Sequence, residues 1–268
     1  MDRGWSPEGG QLLLSGSRAG FGELWSNEGT AYAQITGDAY VGVGGGGSWS
    51  PDGSEVAFVK LTTGRKDIWI VDSDGEERPL TTGGMAADGA ASVRWSPTGD
   101  LVAFVSRAGG MKRVWTVPVQ GGEPRPLATP VEVLFASWSP DGRRLAVASG
   151  SPGSSDIWTV SLDGHEERRL VAGPGINTQP DWSPDGSQIA FASNRPRPGE
   201  TESSWNIWRV AATGGEIPLL VAGHSPQWSH DASQILHVWD DNVWTSPVAG
   251  GGPIYQLIGV GNNQPHPH

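Results

Sequence analysis

The chain contains no cysteine, which removes disulfides, thiolate metal sites and cysteine nucleophiles together. Lysine is scarce: Lys60, Lys66 and Lys112 are the three among 18 basic residues, set against 29 acidic ones for a formal net charge of -11. Nucleic-acid binding rests on Lys and Arg neutralising phosphates, so nucleic acid is not an expected partner. No stretch approaches the ~20 consecutive apolar residues of a membrane-spanning helix, and membrane insertion is not expected. Met1-Asp2-Arg3-Gly4 opens no apolar segment of the kind a signal peptide needs. Helical periodicity is not evident, and Gly-x-Ser-x-Gly, which marks a nucleophile elbow, does not occur.

What the chain has in quantity is glycine, at 40 residues, and tryptophan, at 14. The tryptophans are ordered. Trp5-Ser6-Pro7-Glu8, Trp49-Ser50-Pro51-Asp52, Trp95-Ser96-Pro97-Thr98, Trp138-Ser139-Pro140-Asp141, Trp182-Ser183-Pro184-Asp185 and the degraded Trp228-Ser229-His230-Asp231 follow one another at intervals of 44, 46, 43, 44 and 46 residues. A period in the forties signals a repeat architecture. Within a unit, Ser-Pro-Asp-Gly is turn chemistry: proline presets φ, aspartate bonds nearby backbone and glycine tolerates positive φ. In the fifth unit it joins Gln179–Trp182 to the strand Ile189–Ser193. A third strand at Asn206–Val210 and a fourth at Ile217–Val221 follow, the latter with an edge-compatible proline. Third strands carry a second repeated tryptophan, at Trp25, Trp69, Trp115, Trp158, Trp208 and Trp244. The prediction is an all-β, six-bladed β-propeller of four-stranded antiparallel blades. It forms a single domain over 1–268 with blades beginning near 1, 45, 91, 134, 178 and 224. Twelve of the 14 tryptophans occupy the two repeated positions and are expected to pack between blades.

Trp-Ser-Pro-Asp-Gly followed by Ile-Ala-Phe, as at Trp182 to Phe191, and then Asp-Ile-Trp, as at Asp67-Ile68-Trp69 and Asp156-Ile157-Trp158, resembles the TolB-type propeller repeat. The resemblance implies a propeller that recognises partner proteins in the periplasm or outside the cell. Related propellers gate peptidases, but no hydrolase domain is expected within these 268 residues, nor the amino-terminal domain that accompanies such propellers. His230 and Ala232 stand where the other units have proline and glycine, so the sixth unit's first turn is expected to differ. Gly261-Asn262-Asn263-Gln264-Pro265-His266 resembles Gly175-Ile176-Asn177-Thr178-Gln179-Pro180-Asp181, which suggests either ring closure beside Met1–Gly4 or a cut through a longer array.

Other motifs dissolve on inspection. Gly42–Gly47 leads into a strand, whereas a dinucleotide fingerprint opens a helix. His165-Glu166-Glu167-Arg168-Arg169 ends in arginine and lies on a predicted strand, away from any helical pair of zinc ligands. Asp72-Ser73-Asp74-Gly75 lacks the length of a calcium loop and sits at a hairpin turn. No catalytic residue, metal site or cofactor is assigned.

Two candidate regions remain. The fifth unit's long loop, 194–204, carries Arg195 and Arg197 and ends at the off-pattern Trp205. The matching loop of the sixth unit holds the other off-pattern tryptophan, Trp239, followed by Asp240 and Asp241. These six residues form a candidate recognition patch, tryptophan and arginine being favoured anchors. The residue before each first tryptophan varies (Gly4, Ser48, Arg94, Ser137, Asp181, Gln227), and Arg94, Asp181, Gln227 and nearby His224 are candidates at the channel mouth. The leading expectation is a non-enzymatic, monomeric scaffold that binds a protein or peptide on its loop-rich face. The alternatives are a small hydrolase or lyase with a channel site, or an excised or engineered propeller with no ligand of its own.

Overall fold

The computed structural model describes the chain except residues 1–2, 9–10, 19–20, 29–30, 37–39, 42–46, 63, 86–92, 109, 128, 130–131, 152, 174, 198, 200–203, 241, 250–254 and 259–268. The tail 261–266 and its proposed meeting with Met1 therefore lie outside the described residues. Every regular element described is a β-strand, and the strands fall into sheets ordered along the chain. Each four-stranded sheet is an antiparallel meander, the simplest topology for strands joined by short turns.

The expectation of six four-stranded blades is corrected. Five blades are four-stranded: the first and the third to sixth sheets in chain order. The second sheet is built from five strands, because Tyr40–Val41 and Ser48–Trp49 both pair with Glu55–Thr62, in different registers. The glycine run Gly44–Gly47 lies between these two short strands. Glycine loses the most conformational freedom on folding and packs no side chain, so this sequence disfavours one continuous inner strand between Tyr40 and Trp49.

Packing between sheets follows the period of two. In each second strand, one face meets the preceding sheet and the other the next. Phe58 joins Leu13 and Leu24 of the first sheet, while Ala57 and Val59 face Trp95, Val102 and Phe104 of the third. Ala103 and Val105 in turn meet Trp138, Leu145 and Val147. Ala146 and Ala148 meet Trp182, Ile189 and Phe191, and Ala190 meets Trp228 and Ile235. In the second strands of the second to fifth sheets the smaller residues thus point forward and the larger ones backward, so that each wedge fills the hollow of its neighbour. Of the repeated tryptophans, Trp95, Trp138, Trp182, Trp208 and Trp228 are buried, and Trp25, Trp49, Trp69, Trp115, Trp158 and Trp244 are half-buried. The side chain of Trp5 lies outside the described set.

The turns repeat atom for atom. Ser183 Oγ donates to Asp185 Oδ1 (2.6 Å) and accepts from Gln188 N (2.9 Å), Ser187 N donates to Asp185 Oδ1 (3.0 Å), and Gly186 N donates to Ser183 O (2.9 Å). The same bonds recur around Ser50, Ser139 and Ser229. Contrary to expectation, the sixth unit's turn is not different: Ala232 adopts the glycine conformation at φ 57° and its N–H reaches Ser229 O at 3.0 Å. The serine and aspartate bonds hold the turn even where its residue is unfavourable. They also hold the Asp52, Asp185 and Asp231 carboxyls down at about 2, the serine hydroxyl being the largest cause.

Candidate functional site

The inner strands end in the Ser-Pro turns, and there the tetrapeptides converge on a cavity of about 380 Å³. Residues from Pro7 of the first sheet round to His230 of the sixth line it, so it lies on the axis about which the sheets stand. Trp49, Trp95, Trp138, Trp182 and Trp228 wall it, as do Ser48, Arg94, Ser137, Asp181 and Gln227. Of the candidate channel residues, the structure brings Arg94, Asp181 and Gln227 into this one cavity. His224 does not line it: it starts the strand His224–Trp228, towards the opposite rim. Its Nδ1 lies 3.1 Å from Ser225 Oγ. Among the described residues, no three His, Cys, Asp or Glu side chains are grouped to hold a metal ion.

The variable position has a structural task that the sequence alone did not disclose. The first strand of each sheet leaves N–H groups facing the axis, and a buried donor needs an acceptor. Trp95 N donates to Ser48 Oγ (2.9 Å), Trp182 N to Ser137 Oγ (3.4 Å) and Trp228 N to Asp181 Oδ2 (2.9 Å). Each acceptor belongs to the preceding sheet, so the bonds stitch neighbours together at the axis. The legible signal was an oxygen on Ser48, Ser137 and Asp181 alike. Two indoles add a second stitch, Trp138 Nε1 to Arg94 O (3.1 Å) and Trp228 Nε1 to Asp181 O (3.2 Å).

Asp181 differs from its serine counterparts in charge. It is hemmed in by neighbours although its surface keeps some exposure to the cavity. Desolvation raises its pKa from 3.8 to about 6, against the opposing pull of the Trp228 N–H, the Arg94 charge and the Ser137 hydroxyl. Arg94 donates from Nη1 to the Val93 carbonyl at 3.0 Å.

The second candidate region lies at the opposite end of the sheets, where second strands hand over to third strands. Trp205 and Trp239 are 39% and 43% exposed, two of four large hydrophobics exposed among the described residues. They flank one point. Gly223 N donates to Trp205 O (3.0 Å), and a Cβ on Gly223 would meet Val238 O at 2.4 Å. Only glycine, here at φ 126°, permits that crossing from the fifth sheet to the sixth. Trp239 is tilted 55° against Trp244, with ring centroids 5.7 Å apart, and its carbonyl accepts Trp244 Nε1 at 3.0 Å.

The two arginines are turned inward. Arg195 Nη2 donates to Asn177 Oδ1 (2.7 Å) and its Nε to Ser193 Oγ (3.2 Å), with the guanidinium 5.4 and 5.5 Å from the Phe191 and Trp208 rings. Burial lowers its pKa below the ordinary guanidinium range, and the Asp156 charge opposes that shift. Arg197 grips Asn206 Oδ1 with Nε and Nη2 (3.1 and 2.6 Å). Both brace the loop from beneath. Asp240 sits at φ 50° with its carbonyl accepting Asn242 Nδ2 at 2.6 Å. Asp241 lies outside the described residues.

Residues 130–249 match the family model for the TolB beta propeller domain. A stretch of 93 residues is 32% identical to the Tol-Pal system protein TolB of Anaeromyxobacter dehalogenans (strain 2CP-C), covering 33% of this chain and 20% of that protein. The matched region thus spans a fifth of the relative's length. The fold resembles that of TolB from Acinetobacter baumannii with a TM-score of 0.68 at 18% identity, over 95% of this chain and 60% of that one. It also resembles oligogalacturonate lyase from Vibrio parahaemolyticus with a TM-score of 0.66 at 15% identity, over 95% and 76%. At such identities the structural likeness speaks for the fold alone.

Proposed function

We propose that the chain, whose residues 130–249 match the TolB beta propeller domain, is a non-enzymatic TolB-like scaffold binding a protein or peptide through the rim that carries Trp205 and Trp239. The observation behind this reading is the exposure of two large aromatics on either side of Gly223. The other tryptophans whose burial is described are buried or half-buried, whereas these two are left exposed. Large, stiff aromatics are favoured anchors at protein interfaces. Arg195 and Arg197 serve the site by fixing the loop that presents Trp205, and Asp240 sets the turn beside Trp239.

A peptide-display library panned on the immobilised chain tests the reading. The expected outcome is a family of peptides whose affinity falls at least ~20-fold on Trp205→Ala/Trp239→Ala, an interface hot spot contributing about 2 kcal/mol or more. Peptides that bind the double variant unchanged overturn it. The second reading, a hydrolase or lyase working in the channel, has one observation in its favour: a carboxyl held near neutrality at Asp181. Both oxygens of that carboxyl, however, already accept protein hydrogen bonds, from Ser137 and Trp228.

A further inference from the structure

The axial cavity lies at the opposite end of the sheets from the aromatic rim, and its polar groups are segregated by character. On the third sheet stands Arg94, a fork of five N–H donors. Among the described residues its guanidinium makes one hydrogen bond, to the carbonyl of Val93. Across the cavity, on the fifth and sixth sheets, the groups are acceptors. Asp181 takes one hydrogen bond on each oxygen, from Trp228 N at 2.9 Å and Ser137 Oγ at 3.3 Å, which leaves lone pairs on both. Gln227 occupies the equivalent position on the adjacent strand, and its Oε1 is buried with no partner among the described residues. A buried acceptor left unmet costs about 1–3 kcal/mol.

We infer that this cavity binds a small zwitterion of amino-acid to short-peptide size, its carboxylate paired with Arg94 and its ammonium received by Asp181 and Gln227. A simple anion would satisfy Arg94 and leave the acceptors facing like charge. A simple cation would satisfy the acceptors and strand the guanidinium. A ligand carrying both charges meets both walls. The cavity's 380 Å³ falls at the small end of ligand sites, roughly 300–1,000 Å³. Between the polar walls run the indoles of the repeat, whose faces favour an ammonium group and apolar side chains.

Calorimetric titration with L-alanine, L-alanyl-L-alanine and tri-L-alanine tests this. For the tightest of the three, the N-acetyl and C-terminal amide derivatives are compared. At least one uncapped probe is expected to bind saturably, and each cap to weaken it about tenfold or more, the loss of a charge-assisted pair. Arg94→Gln should weaken the uncapped probe by a similar factor while leaving the amide derivative's residual affinity unchanged. Gln227→Met should do the converse, sparing the N-acetyl derivative. Affinity should rise about tenfold from pH 5 to pH 7 as Asp181 ionises through about 6. The inference is overturned if no probe binds below about 10 mM, a free energy of under 3 kcal/mol. Binding indifferent to both caps, or unchanged by Arg94→Gln, overturns it equally. Thermal melts of each variant establish that it is folded, and Arg94→Lys, which keeps the charge but loses the fork, replaces Arg94→Gln if that variant is not.

Discussion

The seam between the first and second sheets and the seam between the fourth and fifth solve one packing problem with different sizes. At the later seam the forward-facing residues are Ala146 and Ala148, and the next sheet answers with Trp182, Ile189 and Phe191. At the earlier seam the forward-facing residue is Leu13, fully buried; the answering sheet still presents Val56 and Phe58, but just before its strand Ser48–Trp49 it has Gly47 against Leu13. A Cβ on Gly47 would lie 2.7 Å from Leu13 Cδ2 and 3.0 Å from Val56 Cγ1. Where one wedge bulges, its neighbour is hollow. Interiors conserve packing density rather than particular residues, and the repeat tolerates drift so long as volume across a seam is kept.

The largest effect that could break this comparison is Gly47→Val. It should destabilise the chain by about 3 kcal/mol, at the upper end of overpacking costs, in a chemical melt. Leu13→Ala alone should also cost about 3 kcal/mol through its cavity, but the two together should cost less than either. Additive losses would show that the pair is not complementary.

The seams differ in charge as well as size, since Asp181 does at the fifth what Ser48 does at the second. Its pKa is raised above the ordinary 3.8, so the folded chain holds a proton that the unfolded chain has released. Its contribution is therefore full below about 4 and declines as pH rises through about 6. Asp181→Asn keeps an oxygen for Trp228 N–H. It should stabilise the chain at pH 7.5 by on the order of 2 kcal/mol, leave stability at pH 4 unchanged and flatten the slope between. A slope that survives the substitution would assign it elsewhere. The exposed turn aspartates act with the opposite sign: held near 2, Asp52, Asp185 and Asp231 lose their contribution as pH falls from 4 towards 2.

Ser48→Ala sharpens the same point from the neutral side. Removing the acceptor of Trp95 N–H should cost about 1–2 kcal/mol, whereas Ser54→Ala, in the exposed part of the same unit, should change stability by under ~0.5 kcal/mol. The smallest effect belongs to the turns. Ala232→Gly relieves a left-handed alanine but gives up a methyl packed against the last seam. A net gain of about 0.5 kcal/mol is expected, the strain being roughly 1–2 kcal/mol and the methyl about 0.8. A loss on this substitution would mean that the methyl contact outweighs the strain.

The repeat legible in the chain was local: Trp-Ser-Pro-Asp-Gly writes its own turn through Ser–Asp–backbone bonds, and its spacing sets where each sheet begins. That is why the strands of the fifth unit could be placed from residues alone. The pairing of both Tyr40–Val41 and Ser48–Trp49 with one strand of the second sheet could not be. The glycines between them were visible, but whether a glycine run ends a strand or splits it depends on what packs against it. The candidate sites show the same division. Trp205 and Trp239 stood out because they break the pattern. Arg195 and Arg197 looked equally available in the loop, yet bonds to Asn177 and Asn206, residues distant enough in the chain to be brought near by folding, turn them inward.

The amino-acid sequence by itself determined the all-β repeat, its turns and the alternation that buries one face of every strand towards each neighbour, because those depend on bonds and periodicities spanning a few residues. Only the tertiary structure decided which side chains meet at the axis. Arg94, Asp181 and Gln227 lie in three separate units, and what brings them to one cavity is the packing of sheet faces against one another, a property of seams and not of any single strand.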